Sequence, residues 1–230
     1  MYNNLAKYYD ALLKDDQATT MWLEFFNKHK HPGKTLELAA GTGEITLKIA
    51  EQDKIIATDL SQDMINELNA KATSENLLDA FAMDMINFSI DDKFDNIICF
   101  CDSINYVLEV DDLKLMFQQV YKHLNAGGKF LFDMHSLDRL EEFAEDYIET
   151  GQLLDTDYQW SIWAEDDYIH HHFAFYEDTL YEERHVQRVY HYELVKELLE
   201  AIGFKLSVYT DFNQVGINAG EKLFIVGEKI

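Results

Sequence analysis

Thr35-Leu36-Glu37-Leu38-Ala39-Ala40-Gly41-Thr42-Gly43 is the stretch on which the reading of the whole chain turns. A short apolar strand, Thr35 to Ala39, runs straight into a turn carrying two glycines. Glycine permits the tight bend and lets a ligand come close to the backbone. A helix through Ile45, Ile49 and Ala50 follows, and its first N–H groups face whatever sits at the turn. A strand, glycine turn and helix in this order open a doubly wound α/β sheet, in which ligands bind beyond the carboxyl ends of the strands.

The alternation continues downstream. Lys54 to Thr58 is a second strand ending at Asp59, and Ser61 is placed to cap a helix carrying Met64, Ile65 and Leu68. Ala80 to Met83 is a third strand ending at Asp84, and Phe94 to Phe100 a strongly apolar fourth. Leu113, Met116, Phe117, Val120 and Leu124 mark a helix expected to close at Gly127-Gly128, and Lys129 to Met134 is the fifth strand. Strands this uniformly apolar belong to a parallel sheet covered on both faces.

Upstream, Leu5, Tyr8, Tyr9, Leu12 and Leu13, then Met21, Trp22, Phe25 and Phe26, follow helical spacing on either side of Lys14-Asp15-Asp16. The turn from His29 to Lys34 holds the single proline, Pro32. Between Tyr158 and Tyr190 the pattern becomes three aromatic and β-branched runs. Glu165-Asp166-Asp167 and Glu177-Asp178-Thr179 separate them, which predicts three antiparallel strands. Leu194, Val195, Leu198, Leu199 and Ile202 form a last helix that Gly203 ends. Phe204 to Thr210 and Leu223 to Glu228 are expected to make a hairpin at the sheet edge. The fold expected is α/β: a doubly wound, Rossmann-like sheet of seven strands, six parallel and one antiparallel. Residues 1–148 and 191–230 form its core with an N-terminal helical cap, and residues 149–190 a small antiparallel β insertion after the fifth strand.

The formal charge is −24. So acidic a surface repels phosphate backbones and anionic lipid, which disfavours a nucleic-acid or membrane partner and leans toward a small neutral or cationic substrate. No apolar run approaches the length of a membrane span. Met1-Tyr2-Asn3-Asn4 lacks the basic start and apolar stretch of a signal peptide, so a cytoplasmic protein is expected. Self-association into a homodimer stays open. The only cysteines, Cys99 and Cys101, would share one face of a strand, where a disulfide is geometrically poor, so free thiols are expected. His170-His171-His172 invites a metal, but neighbours on a strand alternate faces, so only His170 and His172 share a side. No metal is expected; ordinary strand histidines facing a substrate cavity fit better.

Asp59 can accept hydrogen bonds from the two hydroxyls of a ribose, and Asp84 could reach the exocyclic amine of an adenine. A nicotinamide dinucleotide prefers a third glycine or alanine where this chain has Thr46. A diphosphate needs no carboxylate nearby, whereas the cationic sulfonium and amino group of S-adenosylmethionine favour one such as Glu37. Thr46 and Glu37 therefore point to S-adenosylmethionine.

Residues 35 to 134 resemble the core of the class I S-adenosylmethionine-dependent methyltransferases of small-molecule type. Glu37-x-Ala39-x-Gly41-x-Gly43 matches the family's first motif at three of four places, Ala39 standing for a glycine. Asp59-Leu60 matches the ribose-binding acid and the neighbour that flanks adenine, and Asp84-Met85 the adenine-binding pair. The resemblance implies that Thr42 belongs to the binding turn, and that Cys101-Asp102-Ser103 lies beside the methyl donor. It also implies that Tyr9, in Tyr8-Tyr9-Asp10, closes over the cofactor. His135, directly after the fifth strand, is the candidate general base. The aromatics Trp160, Trp163, Tyr168, Phe173, Phe175 and Tyr176 are expected to form the packed face of the small sheet. Similar insertions occur in N-methyltransferases of this fold that act on small molecules, amino sugars among them, so an amine acceptor is expected. A cofactor-binding protein without catalysis and a nicotinamide-dependent oxidoreductase are the alternatives.

Overall fold

The computed structural model describes residues 5–13, 15–177 and 179–230. Met1 to Asn4, Lys14 and Asp178, with the side chains of Leu5, Ala6 and Leu13, lie outside the described residues, and with them the readings made there. Helices α1 (Leu5–Leu13) and α2 (Asp16–His29) come first, and Asp15 caps α2 by accepting the N–H groups of Gln17 and Ala18. The alternating core follows: β1 (Thr35–Glu37), α3 (Glu44–Ile49), β2 (Ile55–Asp59), α4 (Gln62–Lys71), β3 (Leu77–Ala82) and β4 (Phe94–Cys99). A 3-10 turn at Ser103–Tyr106 leads into α5 (Val110–His123), β5 (Leu124–His135) and α6 (Asp138–Glu142). The antiparallel strands β6 (Tyr147–Leu153), β7 (Thr156–Glu165), β8 (Tyr168–Tyr176) and β9 (Leu180–Arg188) come next. The chain ends with α7 (Tyr192–Ile202), β10 (Phe204–Thr210), β11 (Gln214–Val215) and β12 (Lys222–Lys229).

Among the described residues the main sheet runs β11-β10-β12-β5-β4-β1-β2-β3. Its seven principal strands match the expected sheet, β12 being antiparallel to both neighbours. An eighth, the two-residue β11, pairs with the end of β10. The final strands pair with each other as the expected hairpin at that end of the sheet, with β12 as its inner strand, between β10 and β5. The reason is burial: Leu223, Phe224, Ile225 and Val226 are all buried, which an edge strand with one solvated face would not require.

Alternation along the strands splits the core into two layers. Leu36, Ile97, Phe130, Phe132 and Ile225 pack with Leu113, Met116, Phe117 and Val120 of α5 and Val195 and Leu199 of α7. On the other face Ile55, Ile98, Leu131 and Phe224 meet Phe25 and Phe26 of α2 and Ile45 and Ile49 of α3. Burying each such side chain stabilises the fold by about 1.5–3 kcal/mol, so the sheet is held from both sides.

Two local expectations change. The helix ahead of β5 stops at His123, with Leu124 already extended. Gly127-Gly128 is therefore not a helix cap but lies within β5. There Gly127 has φ +76°, and a side chain on Gly128 would come within 3.2 Å of the Asp95 carbonyl in β4. The insertion has four strands rather than three, because β6 adds to the edge of β7. By contrast, Ser61 accepts the Met64 N–H as a cap should, and Gly203 ends α7 at φ +118°.

Candidate active site

The glycine turn is built differently at each glycine. Gly43 has φ +86°, and a Cβ there would lie 2.5 Å from Leu68 Cγ, so packing against α4 demands glycine. Gly41 has φ +55° and opens outward; only Tyr9, with a ring carbon 3.9 Å from a Cβ there, approaches it. Gly41 thus leaves an approach that a bound group can use. Left-handed backbone recurs at non-glycine residues of the same strand ends: Ala39 (φ +55°) after β1, and Cys101 (φ +57°) and Asp102 (φ +50°) after β4. Each costs roughly 1–2 kcal/mol; such strain clusters where a site requires a set geometry.

Asp59 is 9 % exposed and accepts the Gly41 and Ser61 N–H groups, each at 2.8 Å. It therefore braces the glycine turn from the neighbouring strand. Burial raises its pKa in spite of these bonds. Glu37 is buried beneath the turn, 3 % exposed, and accepts the hydroxyl proton of Thr46. Burial, with Asp59 adding like charge, pushes its pKa up to about 8. The group is thus mostly protonated at neutral pH, and a cationic neighbour would draw its proton off. Thr46, weighed only as a misfit for a nicotinamide site, is Glu37's hydrogen-bond partner. Leu60 is half exposed; Asp84 is exposed and accepts the Ile86 N–H, while Met85 packs against the larger core layer.

Beside these strand ends a cavity of about 370 Å³ opens. Of the sequence-predicted residues, Tyr9, Thr42, Cys101, Asp102 and His135 line it. Glu37, Ala39, Gly41, Gly43, Asp59, Leu60, Asp84 and Met85 do not. Thr42 donates to Asp10, and Lys71 reaches the same carboxylate at 2.8 Å, which fastens α1 to the turn and to α4. Tyr8 stacks on Phe175 with centroids 4.6 Å apart, so α1 also grips the small sheet.

The far wall comes from that sheet, where Trp160, Ile162, His171, Phe173 and Gln187 face the cavity. Trp160, Phe173 and Phe175 are on this inner face, as the strand register requires. Trp163, Tyr168 and Tyr176 alternate to the opposite face, where Trp163 stacks on His170. His170 and His172 do share a side, but it is His171, between them, that faces the cavity. Cys99 and Cys101 are free thiols. Among the described residues no three His, Cys, Asp or Glu side chains are grouped to hold a metal ion, and no helix is long and apolar enough to cross a membrane.

Three residues that the sequence reading did not single out organise the floor. Lys222, first in β12, donates to Asp102 and, at 3.1 Å, to Asp133. Asp133 is fully buried and also accepts the Asp102 N–H at 2.9 Å and the Trp22 indole N–H at 3.1 Å. Burial alone would raise the pKa of Asp102, but the Lys222 ammonium overcomes it and holds the group ionised. Gln187 connects Asp102 to His135 and His171. Burial lowers the pKa of His135, against the pull of Asp102, and takes that of His171 down to about 4. Both imidazoles are therefore neutral at neutral pH.

A β3-β2-β1-β4-β5 parallel core with an antiparallel β12, and a glycine turn flanked by acids at successive strand ends, define the class I S-adenosylmethionine-dependent methyltransferases. The methyltransferase domain family matches residues 35–128. YqeM of Bacillus subtilis (strain 168), a protein named as a methyltransferase, is 31 % identical over 243 residues, covering 100 % of this chain and 97 % of its own. The crystal structure of an S-adenosylmethionine-dependent methyltransferase from Clostridium acetobutylicum ATCC 824 is 27 % identical. It superposes with a TM-score of 0.82 over 99 % of this chain and 98 % of that one. The sugar N-methyltransferase KedS8 from Streptoalloteichus sp ATCC 53650, at 19 % identity, shares the fold with a TM-score of 0.76 over 97 % and 91 % of the two chains. The chain belongs to the S-adenosylmethionine-dependent methyltransferase family, and S-adenosylmethionine is its cofactor.

Proposed function

We propose that the protein methylates a small-molecule amine. In this reading Glu37, Ala39, Gly41, Thr42, Gly43, Asp59, Leu60, Asp84, Met85, Cys101, Asp102 and Tyr9 hold the cofactor, and His135 is the base. The observation that carries it is the continuity of the cavity. It runs from Tyr9 on α1, Thr42 in the glycine turn, and Cys101 and Asp102 after β4 to Trp160, His171 and Phe173 on the small sheet.

Asp59 presents its carboxylate to the ribose hydroxyls while its bonds to Gly41 and Ser61 keep the turn open. Asp84 and Met85 meet the adenine, and Leu60 flanks it. S-adenosylmethionine supplies a methyl group already activated on a sulfonium. What remains for the chain is to orient the nucleophile, exclude water and accept its proton. The N-terminal helices and residues 149–190 cover the acceptor. Aromatic faces at Trp160 and Phe173 along the cavity suit a cationic or ring-bearing amine. KedS8, whose fold is shared, is named as acting on nitrogen of a sugar.

Incubating the protein with methyl-labelled S-adenosylmethionine and matched panels of amines and alcohols tests this. Label is expected in amine products identified by mass spectrometry. Transfer to oxygen acceptors alone would overturn the amine reading.

A further inference from the structure

Gln187 is 1 % exposed and stands on the inner face of β9, between three polar groups. Its Nε2 donates to Asp102 Oδ2 at 2.6 Å. An ionised carboxylate only accepts, so the amide is oriented unambiguously, with Oε1 turned the other way. That oxygen lies 3.0 Å from His135 Nε2 and 3.0 Å from His171 Nε2. A carbonyl oxygen also only accepts, so both imidazoles must present Nε2–H to it. His171 offers an internal check: its Nδ1 accepts the Trp160 indole N–H at 3.3 Å, which requires a bare Nδ1 and hence the same tautomer. Asp102 Oδ2, 3.5 Å from His135 Nε2, is a second acceptor on that side of the ring.

The other nitrogen of His135 is different. Nδ1 is buried and has no hydrogen-bond partner, on a residue only 4 % exposed that lines the cavity. A buried lone pair without a donor costs about 1–3 kcal/mol unless something supplies one. The ring cannot rotate to relieve it without breaking the Gln187 bond.

We propose that Gln187, anchored by Asp102, locks His135 in the Nε2–H tautomer, so that Nδ1, once acceptor binding uncovers it, is the ring's one lone pair for the proton of the methyl acceptor. His135 is the catalytic residue; Gln187 and Asp102 are positioning residues. This rests on the reading of His135 as the base. The acceptor nitrogen's lone pair forms the bond to the methyl carbon, and the electron pair of the breaking carbon–sulfur bond remains on sulfur. The proton shed by the nitrogen moves to Nδ1. The resulting imidazolium keeps its Nε2–H on Gln187, faces the Asp102 carboxylate, and later loses the proton to water. Around the ring Asp102 favours that cation, while burial, Lys222 and Arg139 oppose it, so the imidazole returns readily to its neutral form.

Long-range nitrogen–proton NMR spectra of 15N-histidine-labelled protein test the lock directly, with His135→Ala assigning the signal and S-adenosylhomocysteine affinity reporting an intact fold. In the wild type His135 is expected as a single Nε2–H tautomer at neutral pH. Gln187→Leu should lose that single tautomer. Gln187→Glu, which puts a carboxylate against both rings, should shift protonation of His135 to higher pH. An Nδ1–H tautomer in the wild type, or an unchanged tautomer in Gln187→Leu, would overturn the lock. On an amine acceptor His135→Ala should lower kcat by about 100-fold or more, and Gln187→Leu should lower kcat with KM unchanged. Undiminished turnover by His135→Ala, with the tautomer as expected, would instead remove the base reading and leave the lock standing.

Discussion

Lys222→Met should destabilise the protein by roughly 3–5 kcal/mol, the usual cost of leaving a buried charge without its partner. Lys222 is the ammonium between Asp102 and the fully buried Asp133. Neither carboxylate has another cation within salt-bridge distance among the described residues; His135, 3.5 Å from Asp102, is held neutral. The loss should depend on pH with a definite sign. In the wild type Lys222 depresses the pKa of Asp102 below its ordinary 3.8. That pair therefore contributes stability above the unfolded value, and the contribution fades as acid protonates the carboxylate. Without Lys222, burial acts on Asp102 against only the Gln187 hydrogen bond and the neighbouring His135, so its pKa should rise and the variant should gain stability as the pH falls toward 4. The difference between the two proteins should accordingly narrow in acid. Urea unfolding followed by tryptophan fluorescence at pH 8 and pH 4.5 measures both effects; Trp22 lies 5.1 Å from the Lys222 ammonium and reports locally. A loss under about 1 kcal/mol at pH 8 would show that these carboxylates are hydrated or protonated in the folded protein.

Asp59→Ala should lower affinity for S-adenosylhomocysteine by roughly 100-fold. Two ribose hydroxyl bonds to a charged acceptor are worth about 1.5–3 kcal/mol each, and each 1.4 kcal/mol is tenfold in affinity. The variant also frees the Gly41 and Ser61 N–H groups that Asp59 holds at 2.8 Å, so part of the loss is a loosened turn. Asp59→Asn separates the two contributions. Its side-chain oxygen can still accept one of those backbone bonds, but its NH₂ cannot accept a ribose hydroxyl proton. Isothermal titration should place it between wild type and Asp59→Ala. Unchanged affinity in Asp59→Ala would move the ribose site elsewhere.

The parts of this molecule that were legible in the sequence are those whose signals are local. Gly41 and Gly43 mark a turn because their backbone must go left-handed, and Asp59 and Asp84 mark strand ends because they follow apolar runs directly. The helix-capping Ser61 and the terminating Gly203 work over three or four residues. What escaped depends on contacts across the chain. Lys222 reads as one more surface lysine until β12 is placed beside β5, 89 residues away in sequence from Asp133. A signal was present: Asp133 interrupts the apolar run Phe130 to Met134, and a carboxylate inside a buried strand needs a partner. The interior position of β12 was also announced by four consecutive apolar residues, Leu223 to Val226, buried on both faces. β6 had no such mark. Its Tyr147 to Leu153 sequence mixes exposed apolar and polar residues without alternation, because an edge strand facing solvent has little to bury. Gln187 could be found only through its partners, since one glutamine on a strand carries no spacing rule.

Calorimetric titration of the purified wild-type protein with S-adenosylhomocysteine, with NAD and NADP as controls, tests the central assignment most directly. Micromolar binding of S-adenosylhomocysteine and none of either dinucleotide is the expected result. Binding of a dinucleotide in its place, or of no ligand, would contradict the assignment of Glu37, the glycine turn and Asp59 to the sulfonium cofactor.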